Sequence, residues 1–207
     1  MRIVFKQLPL AMHFWAQVAA EAAMAAGAQG KFAEMDHLIF SKQGEIPRLM
    51  QAKAEAMGKS AVESRSEEIQ REVFIDLAAG LGLETQRVRS EMEGGAHKDR
   101  VKREAAEAAA LGVNGTPASF VNGRYLSGAL PFEAFKAEVE KELSWARDGN
   151  RPAFARGTNV SQLRASQAAA RPAGPDPAKV YDLKAGGAPF HGPAEAKVTI
   201  LHYLDYQ

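Results

Sequence analysis

The chain has 207 residues, 46% of them apolar and 25% charged, with a formal net charge of +1. That is enough apolar material for one domain with decoration or a domain plus part of a neighbour, and the near-neutral balance gives no pointer to nucleic acid or an acidic membrane surface. Cysteine is absent, which excludes disulfides, thiolate metal sites and a cysteine nucleophile.

Arg2 to Lys6 reads as a short β run that stops at Leu8-Pro9, where proline suits a strand end. Lys6, Pro9, His13, Gln17 and Glu21 break the apolar run a signal peptide needs, so none is expected in this chain. No stretch approaches the roughly 20 apolar residues of a membrane span. A helix is predicted over about 11–26, with Trp15, Val18, Ala19, Ala22 and Ala26 on one face and His13, Gln17 and Glu21 on a more polar one. A second follows over about 31–41, turning Phe32, Met35, Leu38 and Ile39 inward, and a weaker pattern covers 46–57. Ser64 and Glu67 stand at capping-box spacing before a helix carrying Ile69, Val73 and Leu77, which Gly80-Leu81-Gly82 closes. Further helical stretches fall at about 84–92 and 97–110, the last with Val101, Ala105 and Ala108 as buried candidates. On it, Lys98, Arg100, Lys102 and Arg103 form a basic cluster that Glu104 and Glu107 interrupt, which reads as a solvated face.

The texture then changes. Gly112-Val113-Asn114-Gly115-Thr116-Pro117 leads into two β-type runs joined by Asn122-Gly123, the strongest short hairpin signal because a type I′ turn needs positive φ at both positions. Pro131 starts a helix carrying Phe132, Phe135, Val139 and Leu143. Residues 146–178 lose periodicity and read as a linker, within which Asn159-Val160-Ser161 matches a glycosylation sequon of a kind common by chance. Val180–Leu183 and Lys197–Leu204 are β-type segments. The second is apolar on both faces, as suits a central strand. The pattern as a whole is that of an α/β layered domain.

Three groups of residues resemble the DsbA-like disulfide oxidoreductase family, which has a thioredoxin-like fold with an inserted helical subdomain. The first is Gly112–Pro117 with Phe120-Val121-Asn122-Gly123-Arg124 and Gly128-Ala129-Leu130-Pro131. The second is Phe5-Lys6-Gln7-Leu8-Pro9-Leu10 with His13 and Gln29-Gly30-Lys31-Phe32, and the third is Gly192, Ala196–Ile200 and Asp205-Tyr206-Gln207. The resemblance covers residues 1–145 and 179–207. It implies a domain over 1–145 that starts with the strand after the active-site helix and contains a helical insertion at about 11–111. The linker of 146–178 follows, and 179–207 supplies the family's N-terminal strands, to the same sheet or to a next repeat.

The order of these segments is permuted relative to the family. The chain is therefore read either as a stretch of a tandem repeat or as a permuted unit whose last strands fold back beside Arg2–Lys6. A linker of about 30 extended residues reaches on the order of 100 Å, so it also permits strand exchange into a homodimer.

Disulfide exchange needs a thiolate, so the resemblance implies a redox-inactive chain. A parent protein would work through Cys-X-X-Cys beyond Gln207, in the periplasm or another exported setting. The alternatives are a thiol-free module that binds peptides, protein substrates or another partner, and a fold relic that only dimerises. The resemblance places Thr116-Pro117 as a cis-proline loop for substrate, pairing with extended peptide by backbone bonds. It places His202, Asp205, Tyr206 and Gln207 beside the missing motif. His202 is read as a hydrogen-bonded core histidine and His13 as structural, while the Trp15 and Phe32 faces are core. The five histidines form no i,i+4 pair, so no metal is expected. Gly80-Leu81-Gly82 ends a helix instead of cradling phosphate, so no cofactor is expected either.

Overall fold

A computed structural model describes residues 1–149, 158–159, 174–176 and 178–207. The 146–178 linker and the Asn159 sequon lie largely outside them. The chain forms a sheet unit, Met1–Leu8 with Arg103–Leu204, and a helical unit, Pro9–Lys102 with Asp205–Gln207.

In the sheet unit the strands are β1 (Arg2–Gln7), β2 (Ala118–Val121), β3 (Arg124–Ser127), β4 (Thr158–Asn159), β5 (Tyr181–Asp182), β6 (Phe190–His191) and β7 (Thr199–Leu204). Five of them form one sheet in the order β3-β2-β7-β1-β6, and β4 pairs with β5. The strand that comes last in sequence is thus central. It runs parallel to β1, with Ile3 opposite Ile200 and Phe5 opposite His202. It runs antiparallel to β2, with Ser119 opposite His202. Its two-sided apolar character explains the position: Ile200, Leu201, Tyr203 and Leu204 are all buried, and only a strand covered on both faces can bury them together.

The β2–β3 hairpin turns at Asn122 and Gly123, with φ of 46° and 87°, the left-handed pair that the Asn-Gly signal requires. Glycine is also needed for space, because a Cβ at 123 would overlap the carbonyl oxygen of Tyr181. Two helices belong wholly or partly to this unit, α6 (Lys98–Leu111) and α7 (Phe132–Asp148). On one sheet face Val121, Val198 and Ile200 pack with Ile3, Leu126 and the α7 residues Val139 and Leu143. The other face carries Phe120, whose ring lies 5.7 Å from Tyr181 and 6.0 Å from Tyr203. Helix α7 is lightly embedded, and Phe132 at its start is 74% exposed.

The helical unit contains α1 (Ala16–Gly27), α2 (Phe32–Lys42), α3 (Ile46–Ala56), α4 (Glu67–Gly80) and α5 (Thr85–Glu93). Helix α1 starts at Ala16, later than the predicted residue 11. The chain first makes a turn in which His13 N–H donates to the Leu10 carbonyl at 2.9 Å. The expected polar face of α1 is also corrected. Glu21 is buried, as are the alanines on every side of the helix, because alanine lets neighbouring helices close around it. Gln17 Nε2 donates to Glu21 Oε1 at 2.7 Å, which gives the buried carboxylate a partner.

The predicted cap of α4 shifts by two residues. Ser66, not Ser64, is the N-cap, and its Oγ accepts from Ile69 N–H at 3.4 Å. Ser64 lies in a single 3-10 turn over Glu63–Arg65. Glu67 and Glu68 occupy the first turn of α4, where carboxylates oppose the positive end of the helix dipole. Leu38 and Leu77 are half-buried, while Trp15, Met35, Ile39, Ile46, Ile69 and Phe74 form the core. Each such side chain contributes roughly 1.5–3 kcal/mol on burial.

Candidate functional site

The loop between α6 and β2 turns at Gly112, with φ of 82°, and contains a cis Thr116–Pro117 peptide bond. Its near end is fixed by Val113 N–H donating to the Ala108 carbonyl at 2.9 Å. Its far end is fixed by Gly128 N–H donating to the Pro117 carbonyl at 3.0 Å. Thr116 and Pro117 are half-buried, and among the described residues Thr116 takes part in no hydrogen bond. The N–H and C=O of Thr116 therefore stand open two residues before Ala118, which pairs with Tyr203 of the central strand. Such a group can accept and donate to an extended backbone.

Beside β1 and β7 lies a cluster that the sequence reading placed in solvent. Glu104 is 5% exposed and its Oε2 accepts from Gln7 N–H at 2.8 Å. Glu107 accepts from Tyr203 Oη at 2.6 Å through Oε1 and pairs with Lys6 Nζ at 3.3 Å through Oε2. Lys6 is itself buried. Burial and the two neighbouring carboxylates push the Tyr203 phenol well above its ordinary range, so Tyr203 stays a hydrogen-bond donor. The solvated-face reading holds for exposed Lys102 and Arg103 and fails for these two glutamates. A signal was present: Glu104 lies between Val101 and Ala108 at spacings of three and four, inside the apolar stripe. Ala105, named as a buried candidate, is only half-buried.

His202 sits mid-strand in β7, and its Nδ1 lies 2.8 Å from Ser119 Oγ. The edge of the ring meets Phe5, with centroids 6.5 Å apart. Burial holds its pKa below the ordinary value, so the imidazole is neutral at pH 7. The other three residues named beside the missing motif belong to the helical unit instead. Asp205 Oδ2 accepts from Leu10 N–H at 2.9 Å and lies 2.6 Å from His13 Nδ1. Tyr206 is fully buried, donates to Asp36 Oδ1 at 3.1 Å and stacks near Phe40. Burial raises the Asp36 pKa. Gln207 Oε1 accepts from Trp15 N–H at 3.3 Å. The structure thus brings Asp205, Tyr206 and Gln207 together with His13, and it groups His202 with Ser119 and Phe5.

A mixed sheet with a parallel central pair, a helical insertion and a proline loop beside the central strand defines a thioredoxin-like α/β protein. The model of the DSBA-like thioredoxin domain matches residues 2–140, and the chain belongs to that family. Curated relatives include Na(+)/H(+) antiporter NhaA 1 of Salinispora arenicola, 34% identical over 147 residues, which cover 70% of this chain and 19% of that protein. Na(+)/H(+) antiporter NhaA 3 of Salinispora tropica is 33% identical over the same length and shares. Na(+)/H(+) antiporter NhaA of Herminiimonas arsenicoxydans is 30% identical over 140 residues, 68% of this chain and 18% of that protein. The chain spans about a fifth of the length of these relatives. No solved structure matches it.

Proposed function

We propose that residues 1–207 are a thiol-free DsbA-like domain that binds extended polypeptide at Thr116–Pro117 and performs no disulfide exchange itself. The observation that carries the reading is the open peptide group of Thr116, beside a strand whose own ladder is complete. Backbone pairing there would recognise an unfolded segment with little regard to its side chains. Exchange requires a thiolate, and this sequence has no cysteine. Within a longer protein, exchange would fall to a Cys-X-X-Cys outside these residues, in an exported setting. Ion transport, the activity in the relatives' names, is not carried over. Among the described residues no helix is long and apolar enough to cross a membrane.

The test is fluorescence anisotropy with a labelled, cysteine-free decapeptide of alternating valine and serine. Saturable binding is expected, weakened about tenfold by Pro117→Ala, because the pyrrolidine ring that fixes φ of the loop is lost. Equal binding by that variant would overturn the peptide site. Acceleration of insulin reduction by dithiothreitol would overturn the inert reading.

We also read 179–207 as strands of this same domain, supported by the six-residue parallel register of β7 on β1. A monomeric mass in sedimentation supports it, and a strand-exchanged dimer contradicts it.

A further inference from the structure

The triplet Val-Asn-Gly occurs twice, as Val113-Asn114-Gly115 and as Val121-Asn122-Gly123. Asparagine before glycine is prone to react with its own backbone. The glycine nitrogen loses its proton and attacks the asparagine Cγ. A C–N bond forms, the Cγ–Nδ2 bond breaks and ammonia leaves, so that a five-membered succinimide joins the two residues. Water then opens the ring at either carbonyl, giving isoaspartate or aspartate. Glycine favours the step because it has no side chain to obstruct the ring. The two triplets are identical, so the local sequence does not choose between them and the fold does.

Asn122 is held on every side. Its Oδ1 accepts from Thr199 N–H at 2.7 Å, and its Nδ2 donates to the Lys197 carbonyl at 3.2 Å and to Glu142 Oε2 at 3.0 Å. Gly123 is buried, its carbonyl accepts from Tyr181 N–H at 2.8 Å, and the Tyr181 carbonyl oxygen closes the space beside its Cα. To react, the side chain must give up these bonds and swing Cγ onto the Gly123 nitrogen, where a ring has no room. Asn114 is the opposite case. It is exposed, and among the described residues neither it nor Gly115 makes a hydrogen bond through backbone or side chain. Apart from its chain neighbours, no atom lies within 4 Å of the place a Cβ of Gly115 would take. Its Cγ is free to turn, and the ring has space.

We propose that Asn114 is a site of spontaneous covalent modification, converting to isoaspartate and aspartate, and that the β2–β3 hairpin protects Asn122 from the same reaction. The product places a new carboxylate two residues before Thr116, and isoaspartate also lengthens the main chain there by one carbon. The loop that carries Thr116–Pro117 therefore changes in charge and length with the age of the molecule. The modification itself does not depend on peptide binding at that loop.

The whole 207-residue chain is incubated at pH 8.5, sampled over days and mapped by tryptic digestion and mass spectrometry. Arg103 and Arg124 put both asparagines on one tryptic peptide, in which fragmentation tells them apart, and each conversion adds about 1 Da. Conversion at Asn114 is expected, with isoaspartate among the products. Asn122 should convert at least about tenfold more slowly, because it reacts only while the hairpin is locally open. At pH 6 the rate at Asn114 should fall several-fold, since the Gly115 nitrogen keeps its proton. Gly115→Ala should slow Asn114 and leave Asn122 unchanged. In guanidinium chloride, which unfolds the chain, the two sites should convert at similar rates. The proposal is overturned if Asn114 in the folded chain stays intact while the unfolded chain converts, or if Asn122 in the folded chain converts as fast as Asn114. A preference for Asn114 that persists undiminished in guanidinium chloride would also overturn it, since the fold would then not be its cause.

Discussion

Glu104 and Glu107 illustrate how a residue's role depends on where the fold puts it. Lys6 Nζ and Glu107 are 101 residues apart in sequence, yet the pair excludes water from an ammonium that is 3% exposed. Removing one partner of such a pair leaves a charge without compensation. Glu107→Leu is expected to lower unfolding stability by about 3 kcal/mol, the low end for buried pairs, because Glu107 is 24% exposed. Urea denaturation of Glu107→Leu and of the double variant Lys6→Met/Glu107→Leu checks this, and the double variant should recover part of the loss.

His202 makes a prediction of defined sign. Its folded pKa lies below the ordinary 6.5, so the unfolded chain binds the proton more readily. The contribution of this group is therefore intact above pH 6.5 and is lost as pH falls through 6.5 toward the lowered value. The urea midpoint of the wild-type chain should drop between pH 7.5 and 5 by more than that of His202→Phe. Equal drops would show that His202 does not drive the dependence.

At the level of elements, local chemistry accounts for most of what was readable. The hairpin follows from Asn122-Gly123, and Gly123→Ala should be strongly destabilising, since it meets both a φ of 87° and the Tyr181 carbonyl. Thermal melts monitored on the sheet unit would register it, and an unchanged melting temperature would refute the steric account. Helix α4 had two serines two residues apart as cap candidates, and capping rules alone do not choose between them. The 3-10 turn over Glu63–Arg65 assigns the cap to Ser66. Ser66→Ala should cost about 0.5–1 kcal/mol and Ser64→Ala less, in keeping with a single cap bond. Helix α1 was misread at its start and on its polar face for one reason. Periodicity records which residues differ, whereas an alanine-rich helix buried all round has no solvent side to reveal.

For the whole molecule, Asp205–Gln207 follows the central strand in sequence yet belongs with the helical unit. Tyr206 is fully buried there, and Tyr206→Ala should destabilise that unit by about 3–5 kcal/mol, as aromatic truncations in a core do. Trp15, whose backbone N–H donates to Gln207 Oε1, reports on it through its fluorescence. An unchanged Trp15 transition would mean that the tail is not part of this core.

The features legible in the sequence are local or chemical: the absence of a thiol, the Asn-Gly hairpin, the two-faced apolar strand Thr199–Leu204, the helical stretches and the family resemblance. Each rests on residues close together in the chain, or on composition, so no partner from elsewhere was needed to read it. Folding is what brings Lys6 to Glu107, Ser119 to His202 and Asp205 to His13 across 192 residues, and what leaves the Thr116 peptide group without a hydrogen-bond partner among the described residues. Polar groups look alike in sequence whether they face water or a buried partner, and only the packing of distant segments distinguishes the two.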